Sequence, residues 1–259
     1  MSVKEIHFTG TPDEISAQWH AQRDKGVGGS DVGVIMNLSM WKSVEQLWAE
    51  KYGHVKPEDI SHKPAIILGN AVEPALRKEY AYRHPDVQVE EPQCMFQDTE
   101  HPWRQASLDG IITCPDGMKE VLEIKTVGQS SSYLWGSGRV PDSYACQVLH
   151  YMAVTGYRRA QIIAMIGNTR IIERTVERDE YLIKLIEREV DKFWQSIEKG
   201  EQPLSRNPPD GFLERLRNVC YDPDDPVQVA ESSPVMVGAV NGWESSRNTY
   251  KENKHGGLE

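Results

Sequence analysis

The segment from Arg104 to Thr126 restricts the fold more than any other part of the chain. It reads as two short strands joined by a tight turn. Cys114-Pro115-Asp116-Gly117 is the turn, because Pro presets φ and Asp and Gly tolerate the bend. Side chains on a strand alternate faces, so Leu122, Ile124 and Thr126 point one way and Val121, Glu123 and Lys125 the other. Asp109, read as the close of the first strand, then comes beside Glu123. Two carboxylates and an ammonium on one sheet edge suit Mg²⁺, a hard ion that takes oxygen ligands and keeps waters and phosphate oxygens in its shell. Such an ion lowers the pKa of a bound water and neutralises charge on a phosphoryl oxygen. A lysine beside it steers the attacking water and stabilises developing negative charge. The competing reading is a solvated strand face carrying an i, i+2 ion pair, which contributes little.

The rest of the chain supplies elements to hold such a hairpin. Thr11-Pro12-Asp13-Glu14 opens a helix with a capping box, running to about Lys25. Gly26-Val27-Gly28-Gly29 breaks it, and Ser30 caps a second short helix through Asn37. Arg23 and Ser30 thus flank a glycine-rich turn that opens a helix, which makes a phosphate cradle of backbone N–H groups, a hydroxyl and a guanidinium; a plain turn is the alternative. Ser43 caps a third helix that ends at Gly53, with Leu47 and Trp48 as core. Pro64 begins a helix in which Pro74 forces a kink or a restart, with Glu73 beside the irregularity. Strands follow at Val87–Glu90 and Cys94–Gln97.

Beyond the hairpin, 130–138 is a loop or short helix, and Asp142 caps a helix that ends near Gly156. Tyr144, Gln147 and Tyr151 share one of its faces. A second hairpin turns at Gly167-Asn168, and a long helix over 179–199 buries Leu182, Leu185, Ile186, Val190 and Phe193. From Gly200 the prolines multiply. We therefore expect one domain over 1–200, and a partly irregular extension over 201–259 whose last part, 227–259, is a loose or disordered arm.

At 259 residues the chain can bury one large core. No stretch approaches the ~18 apolar residues of a membrane span, and no signal-peptide pattern is present. The net charge of -10 argues against a generic nucleic-acid coating protein, although a nuclease can keep basic residues in one groove. The four cysteines are scattered, which points to reduced thiols in a cytoplasm and to no iron–sulfur cluster.

Taken in order, Arg23 with Gly26-Val-Gly-Gly-Ser30, Gly69-x-x-x-Glu73, Ser107-Leu-Asp109-Gly110, Glu123-Ile-Lys125, and Tyr144-x-x-Gln147 followed by Met152-Ala-Val-Thr-Gly156 resemble the lambda-exonuclease/YqaJ viral recombinase family, within the PD-(D/E)XK nuclease superfamily. The resemblance covers about residues 15–200. It implies an α/β (α+β) fold with a restriction-endonuclease-like core, a mixed central sheet flanked by helices. It implies a processive, metal-dependent 5′-to-3′ exonuclease that digests linear double-stranded DNA to mononucleotides and leaves a 3′ single strand for phage-type recombination. Mg²⁺, with Mn²⁺ as a substitute, would be held by Asp109, Glu123 and the main-chain carbonyl of Ile124, with Lys125 on the water and Glu73 as a further acid near the site. Arg23, Ser30, Ser107 and Gln147 would form the pocket for the 5′-terminal phosphate, with Tyr144 supporting that helix face. Ile66 falls at the position of the apolar wedge that splits the duplex in relatives, and Met40-Trp41-Lys42 falls where relatives contact the minor groove. The expected partners are double-stranded DNA ends and a single-strand annealing recombinase. The expected assembly is a ring-shaped trimer, and the expected setting is the cytoplasm of a bacterial host, encoded by a phage or prophage. The alternatives are a PD-(D/E)XK endonuclease and a non-catalytic DNA-end-binding module.

Overall fold

The computed structural model describes residues 2–225. Its elements in chain order are β1 (Val3–His7), α1 (Pro12–Arg23), α2 (Gly29–Ile35), α3 (Val44–Lys51), α4 (Pro64–Arg83), β2 (Gln88–Glu90), β3 (Cys94–Asp98), β4 (Gln105–Ala106), β5 (Gly110–Thr113) and β6 (Lys119–Val127). A 3-10 helix over Gln129–Trp135 follows, then α5 (Asp142–Thr155), β7 (Arg159–Ile166), β8 (Arg170–Glu177), α6 (Glu180–Lys199), α7 (Phe212–Asn218) and β9 (Cys220–Tyr221). Six strands make a mixed sheet in the order β2-β5-β6-β7-β8-β9, with β6 and β7 parallel and the other neighbours antiparallel. A smaller sheet has the order β1-β3-β4. This is the mixed α/β architecture expected.

The period-two pattern sorts β6 between two cores. Leu122 and Ile124 pack with Ile112, Ile163 and the α4 residues Leu76 and Tyr80. Val121 belongs to the larger core with Ile162, Ala164 and the α5 residues Val148, Leu149 and Met152. One sheet face is therefore covered by α4 and the other by α5, and burial of this kind is the main term favouring the fold. The turn between β5 and β6 forms as read. Asp116 Oδ1 accepts from Met118 N at 3.0 Å, and Gly117 adopts φ 80°, a left-handed value that glycine supports without strain. Leu47 and Trp48 are buried, as is most of the expected α6 stripe.

Several expectations need correction. The hairpin is not at a sheet edge, because β6 lies between β5 and β7. Asp109 does not close a strand; it sits in the break between β4 and β5. The caps also differ. Gly28 rather than Ser30 is the N-cap of α2, and Pro141 rather than Asp142 that of α5. In α2 the reciprocal bond comes from Asp31, whose carboxylate accepts from Gly28 N at 3.1 Å. The α4 helix runs through Pro74 without a restart. Pro inside a helix costs about 3 kcal/mol; burial of Leu76 and Tyr80 on the sheet offsets it.

The packed unit does not end at residue 200. Phe212 and Leu216 of α7 are buried in the main core, and β9 pairs with β8 through Thr175–Tyr221 and Val176–Cys220. The prolines of 203–209 interrupt secondary structure without ending the hydrophobic pattern that follows them. The arm expected over 227–259 lies outside the described residues. Among the described residues no helix is long and apolar enough to cross a membrane.

Candidate active site

Asp109 reaches β6 through its side chain. Register places Gly110 opposite Leu122, so the ladder stops one residue short of Asp109. The carboxylate then takes over, and Oδ2 accepts from Ile124 N at 2.8 Å. A side chain doing the work of a strand partner fixes Asp109 beside Glu123. Its own carbonyl accepts from Arg77 Nε at 2.7 Å. The same guanidinium donates to Glu73 Oε1 at 2.6 Å and to Glu91 Oε2 at 2.5 Å. Arg77 thereby ties α4 and its acid Glu73 to the hairpin.

Glu123 is 1% exposed. Its Oε1 meets Lys125 Nζ at 2.6 Å and accepts from Gln147 Nε2 at 2.6 Å. Its Oε2 is buried with no hydrogen-bond partner. Loss of hydration, and then the Asp109 carboxylate, push the Glu123 carboxyl up to about 8. Burial also raises Asp109, against the pull of Lys125. Burial and Asp109 raise Glu73. For Lys125 burial works the other way, yet Glu123 and Asp109 outweigh it and hold the ammonium above its ordinary value. The ammonium also lies 4.6 Å over the Tyr144 ring, a cation–π contact, and donates to Gln147 Oε1 at 3.3 Å. Two carboxyl groups whose acidity is suppressed by burial, and at Glu123 by Asp109 as well, one with an unpartnered oxygen, leave this end of the cleft short of positive charge.

The second half of the site is built where α1 meets α2. Arg23 Nη2 donates to Ser30 Oγ at 2.6 Å and to Asp31 Oδ1 at 3.2 Å. Asp31 is buried. Loss of hydration would raise it, but Arg23 and Lys51 together hold it below the usual carboxylate range. Lys51 Nζ lies 3.5 Å from Asp31 Oδ2 and donates to the Arg23 carbonyl at 2.8 Å. Above the guanidinium sits Trp19, 5.5 Å from ring centroid to Cζ, and its indole donates to Ser107 Oγ at 3.2 Å. The two glycines here leave room for neighbouring side chains, and at Gly29 the neighbour is a buried ring that cannot easily move. A Cβ on Gly28 would fall 2.5 Å from Arg23 Nη1, and one on Gly29 would fall 2.4 Å from the Tyr151 ring.

All the expected site residues line one cleft of about 850 Å³: Arg23, Ser30, Ile66, Glu73, Ser107, Asp109, Glu123, Ile124, Lys125, Tyr144 and Gln147. Ile66 stands in the first turn of α4, with the exposed Ile67 and Leu68 beside it. Gln147 differs in emphasis from the expectation. Its amide binds Glu123, Lys125 and the Tyr151 hydroxyl, so it joins the carboxylate pair to the α5 face.

Sequence reading missed Asp31, Lys51, Arg77 and Trp19. Asp31 sits three residues after Gly28, in the reciprocal position of a capping box, but with glycine as the cap and aspartate as the acid it lacks the usual sequence signature. Arg77 carries the i, i+4 signal from Glu73. Lys51 and Trp19 have no local signature.

The model of the YqaJ-like viral recombinase domain matches residues 18–158, more than half of the chain. The chain belongs to the YqaJ-like viral recombinase family. The matched stretch of the YqaJ-like domain takes in every expected site residue, from Arg23 to Gln147. A relative of the chain in this family, a Bacillus subtilis (strain 168) protein called "Uncharacterized protein YqaJ", is 33% identical over 205 residues, covering 78% of this chain and 63% of that protein. The chain thus spans less than two thirds of the length of that curated relative. The crystal structure of an alkaline exonuclease (LHK-Exo) from Laribacter hongkongensis matches with a TM-score of 0.61 at 22% identity, over 71% of this chain and 93% of that one. LHK-Exo in complex with dAMP matches with the same TM-score at 23% identity and the same coverage. At such identities the likeness carries the fold alone: this YqaJ-like chain shares the mixed α/β architecture of that exonuclease.

Proposed function

We propose that this chain is a divalent-metal-dependent 5′-to-3′ exonuclease that digests linear double-stranded DNA to mononucleotides from phosphorylated ends. One observation carries the reading: the carboxylate pair with its lysine and the Arg23–Ser30 cradle open into the same cleft. The similarity to LHK-Exo and the YqaJ-like domain support a nuclease role.

The residues fit a hard cation. Among the described residues no group of three or more His, Cys, Asp or Glu side chains forms a ready-made metal cage. Mg²⁺ does not need one, since it is usually held by one or two carboxylates and completes its shell with water and substrate oxygens. Asp109, Glu123 with its unpartnered Oε2, and the Ile124 carbonyl would hold it. Bound there, Mg²⁺, or Mn²⁺ in its place, supplies an acidified water and neutralises phosphoryl charge.

Lys125, held by Glu123, Gln147 and Tyr144, orients the attacking water and meets the charge that develops on the phosphoryl oxygens. Arg23 and Ser30 hold the terminal phosphate, with Ser107 opposite them, and so place the first internucleotide phosphate at the carboxylates. Water adds to phosphorus, the bond to O3′ of the terminal nucleotide breaks, and that oxygen takes up a proton. The strand left behind again begins with a 5′-phosphate, so each cut regenerates the group the cradle holds. Ile66, at the rim, separates the strands.

The test uses linear duplexes with a 5′-phosphate or a 5′-hydroxyl and a closed circle, each in Mg²⁺ and in EDTA. We expect metal-dependent release of mononucleotides from phosphorylated 5′ ends with the circle intact. Cutting of the circle would replace this reading with an endonuclease. End binding without cleavage would replace it with a non-catalytic module. The same reading makes the residual 3′ strand the substrate of an annealing recombinase, sets the reaction in the cytoplasm of a phage-carrying bacterium, and closes the protein into a ring trimer. Light scattering in solution checks the trimer.

A further inference from the structure

Two large aromatic side chains stand out in solvent beside the cleft. Trp41, in the loop between α2 and α3, is 89% exposed, and Tyr133, in the 3-10 helix, is 72% exposed. Both line a cavity of about 480 Å³. That cavity shares Ser30, Lys125, Tyr144 and Gln147 with the candidate active site, and Trp41 lines both. The two spaces adjoin along these shared residues.

Neither ring rides on a slack segment. Ser39 Oγ accepts from Trp41 N at 3.2 Å and from Lys42 N at 3.3 Å, which locks the turn that presents the indole. Lys42 Nζ is 2.5 Å from Glu50 Oε2, and Leu38 N donates to the Gly33 carbonyl at 2.8 Å. On the other wall, Trp135 is buried two residues beyond Tyr133, tilts against Tyr144 at 5.8 Å, and its carbonyl accepts from Arg174 Nη2 at 3.1 Å. The protein holds two aromatic rings out in water on anchored backbone, at a place where burying them would be favourable.

We propose that Trp41 and Tyr133 flank a binding site for an unpaired nucleobase, the base of the 5′-terminal nucleotide. This rests on the exonuclease reading above. In that reading the terminal nucleotide hangs between two phosphates, one at Ser30 and one at Lys125. Both of these residues also line the cavity, so the base of that nucleotide has this space beside it. A nucleobase offers two flat apolar faces, and aromatic side chains stack on any of the four bases because every base has a π-face. The volume lies within the range of small-molecule sites. Stacking here would offset the unpairing of the terminal base pair and favour no particular sequence.

The test places 2-aminopurine at the 5′-terminal position of a phosphorylated duplex, with a fluorophore at the far end to report binding by anisotropy, all in EDTA. Trp41 and Tyr133 are exposed, so alanine variants keep the fold. In the wild type we expect the 2-aminopurine emission to stay quenched on binding, because the base moves from one stack to another. In Trp41→Ala and Tyr133→Ala the base brightens, and end affinity falls about 5- to 150-fold, the range for loss of one base–aromatic stack. Trp41→Phe restores the quench. Equal emission and affinity in the wild type and both alanine variants would overturn the site while leaving the exonuclease reading intact, provided the wild type digests the duplex in Mg²⁺. A wild type that neither binds nor digests duplex ends would overturn both. An alanine variant that changes the mass of the protein in solution, with emission unchanged, would assign these rings to a contact between copies of the chain and overturn the proposal.

Discussion

Gln147 Nε2 donates to Glu123 Oε1 at 2.6 Å, and this bond crosses from α5 to the central strand of the sheet. The carboxamide of Gln147 therefore orients a carboxylate and, through its own oxygen, the lysine beside it. Gln147→Ala is expected to slow digestion on phosphorylated and hydroxyl 5′ ends alike, by about 10- to 100-fold, as for other partners that orient a metal-binding carboxylate. Single-turnover rates on the two ends measure this, and a loss confined to phosphorylated ends would return Gln147 to the phosphate cradle alone.

Arg23 should behave in the opposite way. Its guanidinium is held by Ser30 and Asp31 and has no bond to the carboxylate pair. Arg23→Ala is expected to weaken use of phosphorylated ends by about 10- to 100-fold, the worth of a charge-assisted bond, with little change on hydroxyl ends. The ratio of the two rates is the readout, and an equal loss on both would contradict the cradle.

Asp31 neutralises two cations at once, Arg23 and the buried Lys51. Its removal leaves both without their anion. Asp31→Ala should destabilise the protein by about 3–5 kcal/mol, as when one partner of a buried ion pair is deleted, and should erase the preference for phosphorylated ends. Urea unfolding and the end-preference ratio check the two parts separately.

The Glu123 carboxyl is raised in the folded protein, to about 8 against 4.5 for its ordinary value. The stability that belongs to its protonated form is complete below about 4.5 and is lost as pH rises through about 8. In EDTA the melting temperature should fall between pH 5 and pH 8.5. Glu123→Gln should flatten that slope and raise the metal-free melting temperature at pH 8. Wild type and variant sharing one slope would show that Glu123 is charged throughout. Mg²⁺ should stabilise the wild type at pH 8 and leave the variant nearly unmoved.

Phe212 is 1% exposed and lies in the same core as α5 and α6. Phe212→Ala should cost about 3–5 kcal/mol. A chain cut at residue 200 should lose cooperative unfolding, because it also strips β9 from β8. Thermal unfolding of the truncated chain that matches the full chain would put the domain boundary back at 200.

Much of this was legible locally. The alternation of 121–126 placed Glu123 and Lys125 on one face, and the Pro-Asp-Gly turn and the caps at Thr11 and Ser43 all formed. What misled was also local. Pro74 reads as a kink or a restart because its cost is visible in sequence, whereas the burial that offsets it depends on the sheet that α4 covers. The proline-rich stretch after Gly200 hid α7, whose apolar residues are few and acquire meaning only against the core they fill.

By itself the sequence determined periods, turns and caps, because each depends on residues within about one turn or one strand of each other. From those it set which residues share a face, and so which carboxylates and bases a site can use. Only the tertiary structure decided that Asp109 substitutes for a strand partner on β6, that Lys51 reaches Asp31, and that Trp41 and Tyr133 open onto the same cavity. Those pairings join residues from separate elements, and no local preference encodes them. They exist because two sheet faces and their covering helices bury their apolar sides together, and the polar groups are carried to wherever that burial leaves them.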